Sequence, residues 1–119
     1  SYPLGGRYKI PHGVSNAMLL PHVMEFNKDA IKGKLNRIAI EMNIETNLLS
    51  EDQTAEEVIS KLYSLVKKLN IPSNLKQYGI SESDIDILVE EASKVTRLLN
   101  NNPKPVGKDD MFYIYKKLF

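Results

Sequence analysis

A chain of 119 residues with 42% hydrophobic and 26% charged side chains amounts to one ordinary globular domain, which excludes a disordered or fibrous fold. Its 16 basic and 15 acidic residues leave a net charge of +1 with no basic stripe interleaved with aromatics, so nucleic acid is not an expected partner. Cysteine is absent, which removes disulfides, thiolate metal sites and a thiol nucleophile, and no apolar run approaches the ~20 residues that span a bilayer. A cytoplasmic location is the expectation.

Residues 1–11 hold two prolines and the Gly5-Gly6 pair, a composition that predicts loop or extended chain with Tyr8 and Ile10 as anchors. Because the sequence opens inside that loop without an initiator methionine, it is expected to be a piece of a longer protein. Pro11 suits the first turn of a short helix through Val14, Ala17, Met18 and Leu20, and Pro21 predicts a break or kink. Over residues 29–42, Ala30 or Ile31, Leu35, Ile38, Ala39 and Met42 recur at helical spacing, with basic residues between them.

Thr54 and Glu57 form a capping-box pattern that predicts the next helix start, and Val58, Ile59, Leu62, Leu65, Val66 and Leu69 supply its apolar face up to Pro72. Residues 73–79 predict a single turn. Ser81 then caps a helix with acids in its first turns and Ile85, Leu88, Val89, Ala92, Val95 and Leu99 on one face. After the stiff Asn102-Pro103-Lys104-Pro105 turn, a last helix from about Lys108 carries Met111, Ile114, Tyr115 and Leu118 inward. No strand pattern competes, so the fold is expected to be all-α, a bundle of four to five helices in one domain spanning residues 1–119.

The two histidines, His12 and His22, each follow a proline. On a regular helix ten residues place their rings about 80° apart and about 15 Å along the axis, too far for one ion. Helical ligand pairs sit three or four residues apart instead. His22 reads as a packed residue with a local hydrogen bond. His12, between Pro11 and Gly13 at a loop-to-helix junction, suits a ligand. With no second histidine nearby and no cysteine, its partners must lie elsewhere, as at a domain interface. Met18, Met24, Met42 and Met111 read as core fillers.

The stretch YPLGGRYKIPHGVSNAMLLPHVMEFN resembles the start of the C-terminal helical domain of iron-containing, group III alcohol dehydrogenases, within the dehydroquinate synthase-like fold. The resemblance continues through KLNRIAIEMN, the LNIPSNL stretch beginning at Leu69, YGISESDIDIL and the Asn102-Pro103-Lys104-Pro105 turn. It implies a C-terminal metal-binding domain whose N-terminal partner, absent from this sequence, binds NAD or NADP. It also implies that His12, in the family's P-H-G motif, is one of four ligands to Fe2+ or Zn2+. The family's other ligands, an Asp and two further His, fall before Ser1. Many members carry an additional histidine where Tyr2 stands, near the nicotinamide and substrate, so Tyr2 is expected to line the active site as a poorer proton shuttle than imidazole.

The function so implied is interconversion of small primary alcohols and aldehydes by the complete protein, with the isolated chain inactive. A related metal-dependent enzyme of the maleylacetate reductase or dehydroquinate synthase type, or a non-enzymatic helical interaction module, is the alternative. Self-association through apolar surface left uncovered by the missing domain is also expected, giving a homo-oligomer.

Overall fold

The computed structural model describes the backbone of all 119 residues and every side chain except that of Leu98. Among the described residues there is no strand. Five helices of nine residues or more make the bundle: α2 (His12–Asn27), α3 (Lys32–Glu41), α4 (Glu51–Lys68), α5 (Ile85–Ser93) and α7 (Lys108–Lys116). Two short helices, α1 (Tyr2–Tyr8) and α6 (Thr96–Leu99), and three 3-10 turns (Lys28–Ala30, Leu75–Tyr78 and Glu82–Asp84) complete it.

Helix α1 occupies residues expected to be loop. Pro3 falls in its first turn, where a missing N–H costs nothing, and burial of Pro3 and Leu4 outweighs the poor propensity of Gly5 and Gly6. Lys9 stops it in the left-handed conformation at φ 56°. The Lys9 N–H bonds to the Gly5 carbonyl at 3.1 Å and the Ile10 N–H reaches back to the Leu4 carbonyl at 3.2 Å, closing the helix end, and buried Ile10 shares a core with Leu4.

Pro21 neither breaks nor ends α2, which runs continuously from His12 to Asn27 with Pro21 buried inside it. The lost donor is one rung of a helix anchored on either side of it by Met18 and Leu19 and by Asn27, all buried. The helix expected to start at Thr54 starts one turn earlier. Ser50 is its cap, accepting from the Gln53 N–H at 3.1 Å while the Gln53 side chain accepts from the Ser50 N–H at 2.9 Å. Thr54 is instead buried within α4. The helix expected through Leu99 divides into α5 and α6, where Lys94 and Val95 bond to carbonyls three residues back and the β-branched pair Val95-Thr96 follows.

Two apolar cores lie side by side. The larger gathers Leu4 of α1, Met18 and Leu19 of α2, Leu88 of α5 and Met111 and Tyr115 of α7, with Ile10 between α1 and α2 and Leu118 just beyond α7. The smaller gathers Ile31, Leu35, Ala39, Ala55, Val58 and Ile59 in the α3–α4 hairpin, with Met24 of α2 against it. This division makes the domain long, 45 × 30 × 20 Å, with a radius of gyration of 15.1 Å. A compact chain of this length would have about 13.5 Å.

Leu65 and Leu69, expected inward, are exposed because nothing among the described residues packs over the second half of that face of α4. Of the methionines, Met18 and Met111 fill the larger core, whereas Met42 stays exposed. No described helix is long and apolar enough to cross a membrane.

Candidate metal centre

His12 is the first residue of α2, and Pro11 before it holds φ −51° and ψ 135°, the extended geometry of a helix lead-in. The ring is exposed. Its backbone carbonyl accepts from the Ser15 hydroxyl at 3.0 Å, which keys the first turn, since Ser15 is itself buried. Among the described residues neither ring nitrogen of His12 has a hydrogen-bond partner, so both remain available to a ligand from outside the domain.

The turn at Lys9 folds α1 back so that the Tyr2 ring lies 5.9 Å from the His12 ring, inclined at 59°. Tyr2 is also exposed and borders a shallow cleft of about 170 Å³ with Ser1, Pro3, Ala92, Val95 and Leu99. The two residues singled out from the sequence are thus neighbours at one edge of the molecule. No group of three or more His, Asp or Glu side chains among the described residues could close a metal site around His12. As a donor set, one unencumbered imidazole fits a single ligand of a first-row metal and no more.

His22 lies ten residues further along α2, about 15 Å from His12 by helical rise. Its partner is not local: Nδ1 stands 3.0 Å from the hydroxyl of Tyr63 on α4, with the rings edge-on at 5.2 Å. The Tyr63 hydroxyl donates to Glu25 Oε2 at 2.6 Å, and Lys117 pairs with Glu25 Oε1 at 3.3 Å. With the phenolic proton directed at Glu25, the bond to His22 requires a proton on Nδ1, leaving a lone pair on Nε2. Burial, and next Lys117, push the His22 imidazole below its ordinary range. The Tyr63 bond, helped by Lys117, holds Glu25 low, while burial and Glu25 push the Tyr63 phenol far up.

Sequence reasoning missed this four-residue bridge. The i, i+3 spacing of His22 and Glu25 on one helix face was the available signal, but Tyr63 and Lys117 come from distant parts of the chain. Also missed was the far anchor of α2. Asn27, buried, exchanges two amide bonds with Asn102 at 2.9 and 2.7 Å, and Lys104 sits 4.4 Å over the Phe26 ring while donating to the Phe26 carbonyl at 3.3 Å. The Asn102-Pro103-Lys104-Pro105 turn is therefore a clamp on the end of α2.

The domain is all-helical and presents one free imidazole at a helix N-terminus, with no companion His, Asp or Glu cluster among the described residues. The profile of the Fe-containing alcohol dehydrogenase family, C-terminal, matches residues 1–119, and the chain belongs to that family. Alcohol dehydrogenase 4 of Saccharomyces cerevisiae is 38% identical over 121 residues, covering 100% of this chain and 30% of the yeast protein. Lactaldehyde reductase of Escherichia coli is 31% identical over 115 residues, covering 97% and 30% respectively. The solved structure of an alcohol dehydrogenase from Oenococcus oeni superimposes with a TM-score of 0.89 at 32% identity, covering 99% of this chain and 30% of that one. The chain thus spans about 30% of the length of the relatives it matches.

Proposed function

We propose that this chain is the metal-ligating C-terminal domain of an NAD(P)-dependent alcohol dehydrogenase that interconverts small primary alcohols and aldehydes. The observation that carries the reading is the exposed, unencumbered His12 ring beside Tyr2 at one edge of a domain spanning under a third of its relatives' length. On this reading His12 is one ligand of Fe2+ or Zn2+, and the remaining ligands and the NAD or NADP site belong to an N-terminal domain docked against this edge. The metal, when bound, supplies Lewis acidity towards the oxygen of the alcohol or aldehyde.

The chain's own contribution is positional. Ser15 and Pro11 fix the first turn of α2, and with it the direction of the His12 ring. Tyr2 presents a phenol that donates a hydrogen bond to the substrate oxygen and helps exclude water, but at neutral pH it exchanges protons less readily than imidazole. The isolated chain lacks the nucleotide site and is inactive. A cytoplasmic location belongs to the same reading, as does self-association of the separated chain through exposed apolar side chains such as Leu65 and Leu69.

The test uses the intact polypeptide. His12→Ala is expected to lose bound metal and to lower kcat/KM by more than about 100-fold, beyond the loss typical of removing a group that only orients a ligand. Tyr2→Phe is expected to keep the metal and change kcat/KM far less. Full metal content and activity in His12→Ala, or NAD(P)-dependent turnover by the 119-residue chain alone, would sink the proposal.

A further inference from the structure

A cleft of about 540 Å³ lies away from His12, where α4 passes α2 and runs into the 70–73 turn. Its one cationic side chain among the described residues is Lys67. His22, Tyr63, Lys67, Asn70, Ser73 and Gln77 contribute an imidazole, a phenol, an ammonium, two amides and a hydroxyl, and no carboxylate among the described residues lines it. We propose that this cleft binds a small oxyanion, a carboxylate or phosphate group, between the Lys67 ammonium and the His22 ring. The proposal is independent of the metal centre and stands whether or not His12 carries a metal.

The nearest carboxylate does not oppose this. Glu25 accepts from the Tyr63 hydroxyl at 2.6 Å and pairs with Lys117 at 3.3 Å, so its charge is already compensated. The same bonding fixes the state of the cleft's imidazole. Nδ1–H is committed to Tyr63, and Nε2 is the ring's remaining polar atom. Neutral His22 offers a lone pair there, which an oxyanion repels, so a hydrogen bond forms when Nε2 takes a proton from solvent and donates it to the ligand. A cation is disfavoured at the same place, because one imidazole without carboxylates is too few ligands.

Anion binding is therefore coupled to uptake of one proton. The charged and titratable groups around His22 are Glu25 on its own helix, Tyr63 and Lys67 on α4, and Lys117 beyond the end of α7, with Tyr113 of α7 under the Lys117 ammonium. Burial, and next Lys117, oppose the imidazolium and Glu25 favours it. A bound oxyanion adds a second negative partner, so its affinity rises with acidification, by up to about tenfold per pH unit where free His22 is neutral.

The experiment follows the His22 Cε1–H resonance of the intact, 13C-histidine-labelled polypeptide, identified by its loss in His22→Asn. Acetate, whose charge is constant over the range, and inorganic phosphate are titrated separately at about pH 6 and about pH 7.5. The expected result is a saturable shift with at least one anion, tighter at the lower pH and weakened by Lys67→Ala. Response to acetate alone identifies a carboxylate ligand, to phosphate alone a phosphate ligand, and to both a general oxyanion site. Lys67 is exposed, so its replacement leaves the packing intact. No shift with either anion, equal affinity at both pH values, or a response unchanged in Lys67→Ala overturns the proposal.

Discussion

Replacing Asn27 with alanine is expected to destabilise the domain by about 2–3 kcal/mol, although the residue is remote from His12. Asn27 is 3% exposed and exchanges two hydrogen bonds with Asn102, one in each direction. Each is worth about 1 kcal/mol net, so their loss removes about 2 kcal/mol. Asn102 keeps its bond to the Lys104 carbonyl at 2.6 Å, which leaves one donor satisfied. Its side-chain carbonyl, however, is stranded in a half-buried position, adding up to about 1 kcal/mol. At about 4 °C per kcal/mol for a chain of this size, Tm falls by about 8–12 °C.

Urea unfolding of the 119-residue chain followed by far-UV circular dichroism measures the change as a lower midpoint with unaltered slope. The double mutant with Asn102→Ala completes a cycle in which the expected coupling is about 1–2 kcal/mol. Strict additivity of the two substitutions, or an unmoved midpoint in Asn27→Ala, refutes the reasoning that this reciprocal pair anchors α2.

Acid stability tests the His22 bridge. His22 sits below its ordinary 6.5 because of burial and Lys117, and Glu25 below its ordinary 4.5 because of the Tyr63 bond and Lys117. In both windows the unfolded chain binds more protons, so stability is full above pH 6.5 and falls on acidification, first through His22 and then, below 4.5, through Glu25. His22→Gln is expected to abolish only the upper part of that decline, read from urea midpoints across pH. Ser50→Ala is expected to cost about 1 kcal/mol as the loss of a cap, whereas Glu57→Ala stays within about 0.5 kcal/mol; a larger effect at Glu57 in thermal melts would return the helix start to Thr54. Leu35→Ala, at a fully buried position, is expected to cost about 2–5 kcal/mol, against no more than about 0.5 kcal/mol for Leu48→Ser at 93% exposure, both by urea unfolding.

The helices most legible in the sequence are those whose apolar period and terminal charges agree. In α7, Asp109 and Asp110 open the helix, Lys116 closes it, and Met111, Ile114, Tyr115 and Leu118 are all buried as expected. Here the Gly107 N–H donates to Asp110 Oδ2 at 2.9 Å, so local chemistry and tertiary packing select the same start. The misreadings arise where they diverge. Pro3, Gly5 and Gly6 argue against a helix that burial of Leu4 nevertheless stabilises, and Pro21 argues for a break that the packing of α2 overrides. Thr54 and Ser50 both begin acceptable capping patterns, and only the burial of Thr54 decides between them.

At the candidate site, His12 stood out because its neighbours Pro11 and Gly13 mark a helix start, and its proximity to Tyr2 depends on the local turn at Lys9. The Tyr63–Glu25 and Lys117–Glu25 contacts were invisible for the opposite reason. They join positions 38 and 92 residues apart, and neither spacing nor composition records which helices will cross.

The division into two cores also determines how error reaches the imidazole. Helix α2 is held at several points along its length: Val14 and Ser15 in its first turn, Met18 and Leu19 at its middle and the Asn27–Asn102 clamp at its far end, while His12 is exposed at the tip. A small rotation at the clamp reaches the tip, about 22 Å away along the axis, through those intervening contacts. Substitutions on the outer faces of α3 and α4 leave these contacts untouched, whereas a change of volume at buried Met18 disturbs the packing on which α2 rests. The direction of the His12 ring thus depends on the distant core and clamp as well as on Pro11 and Ser15 beside it.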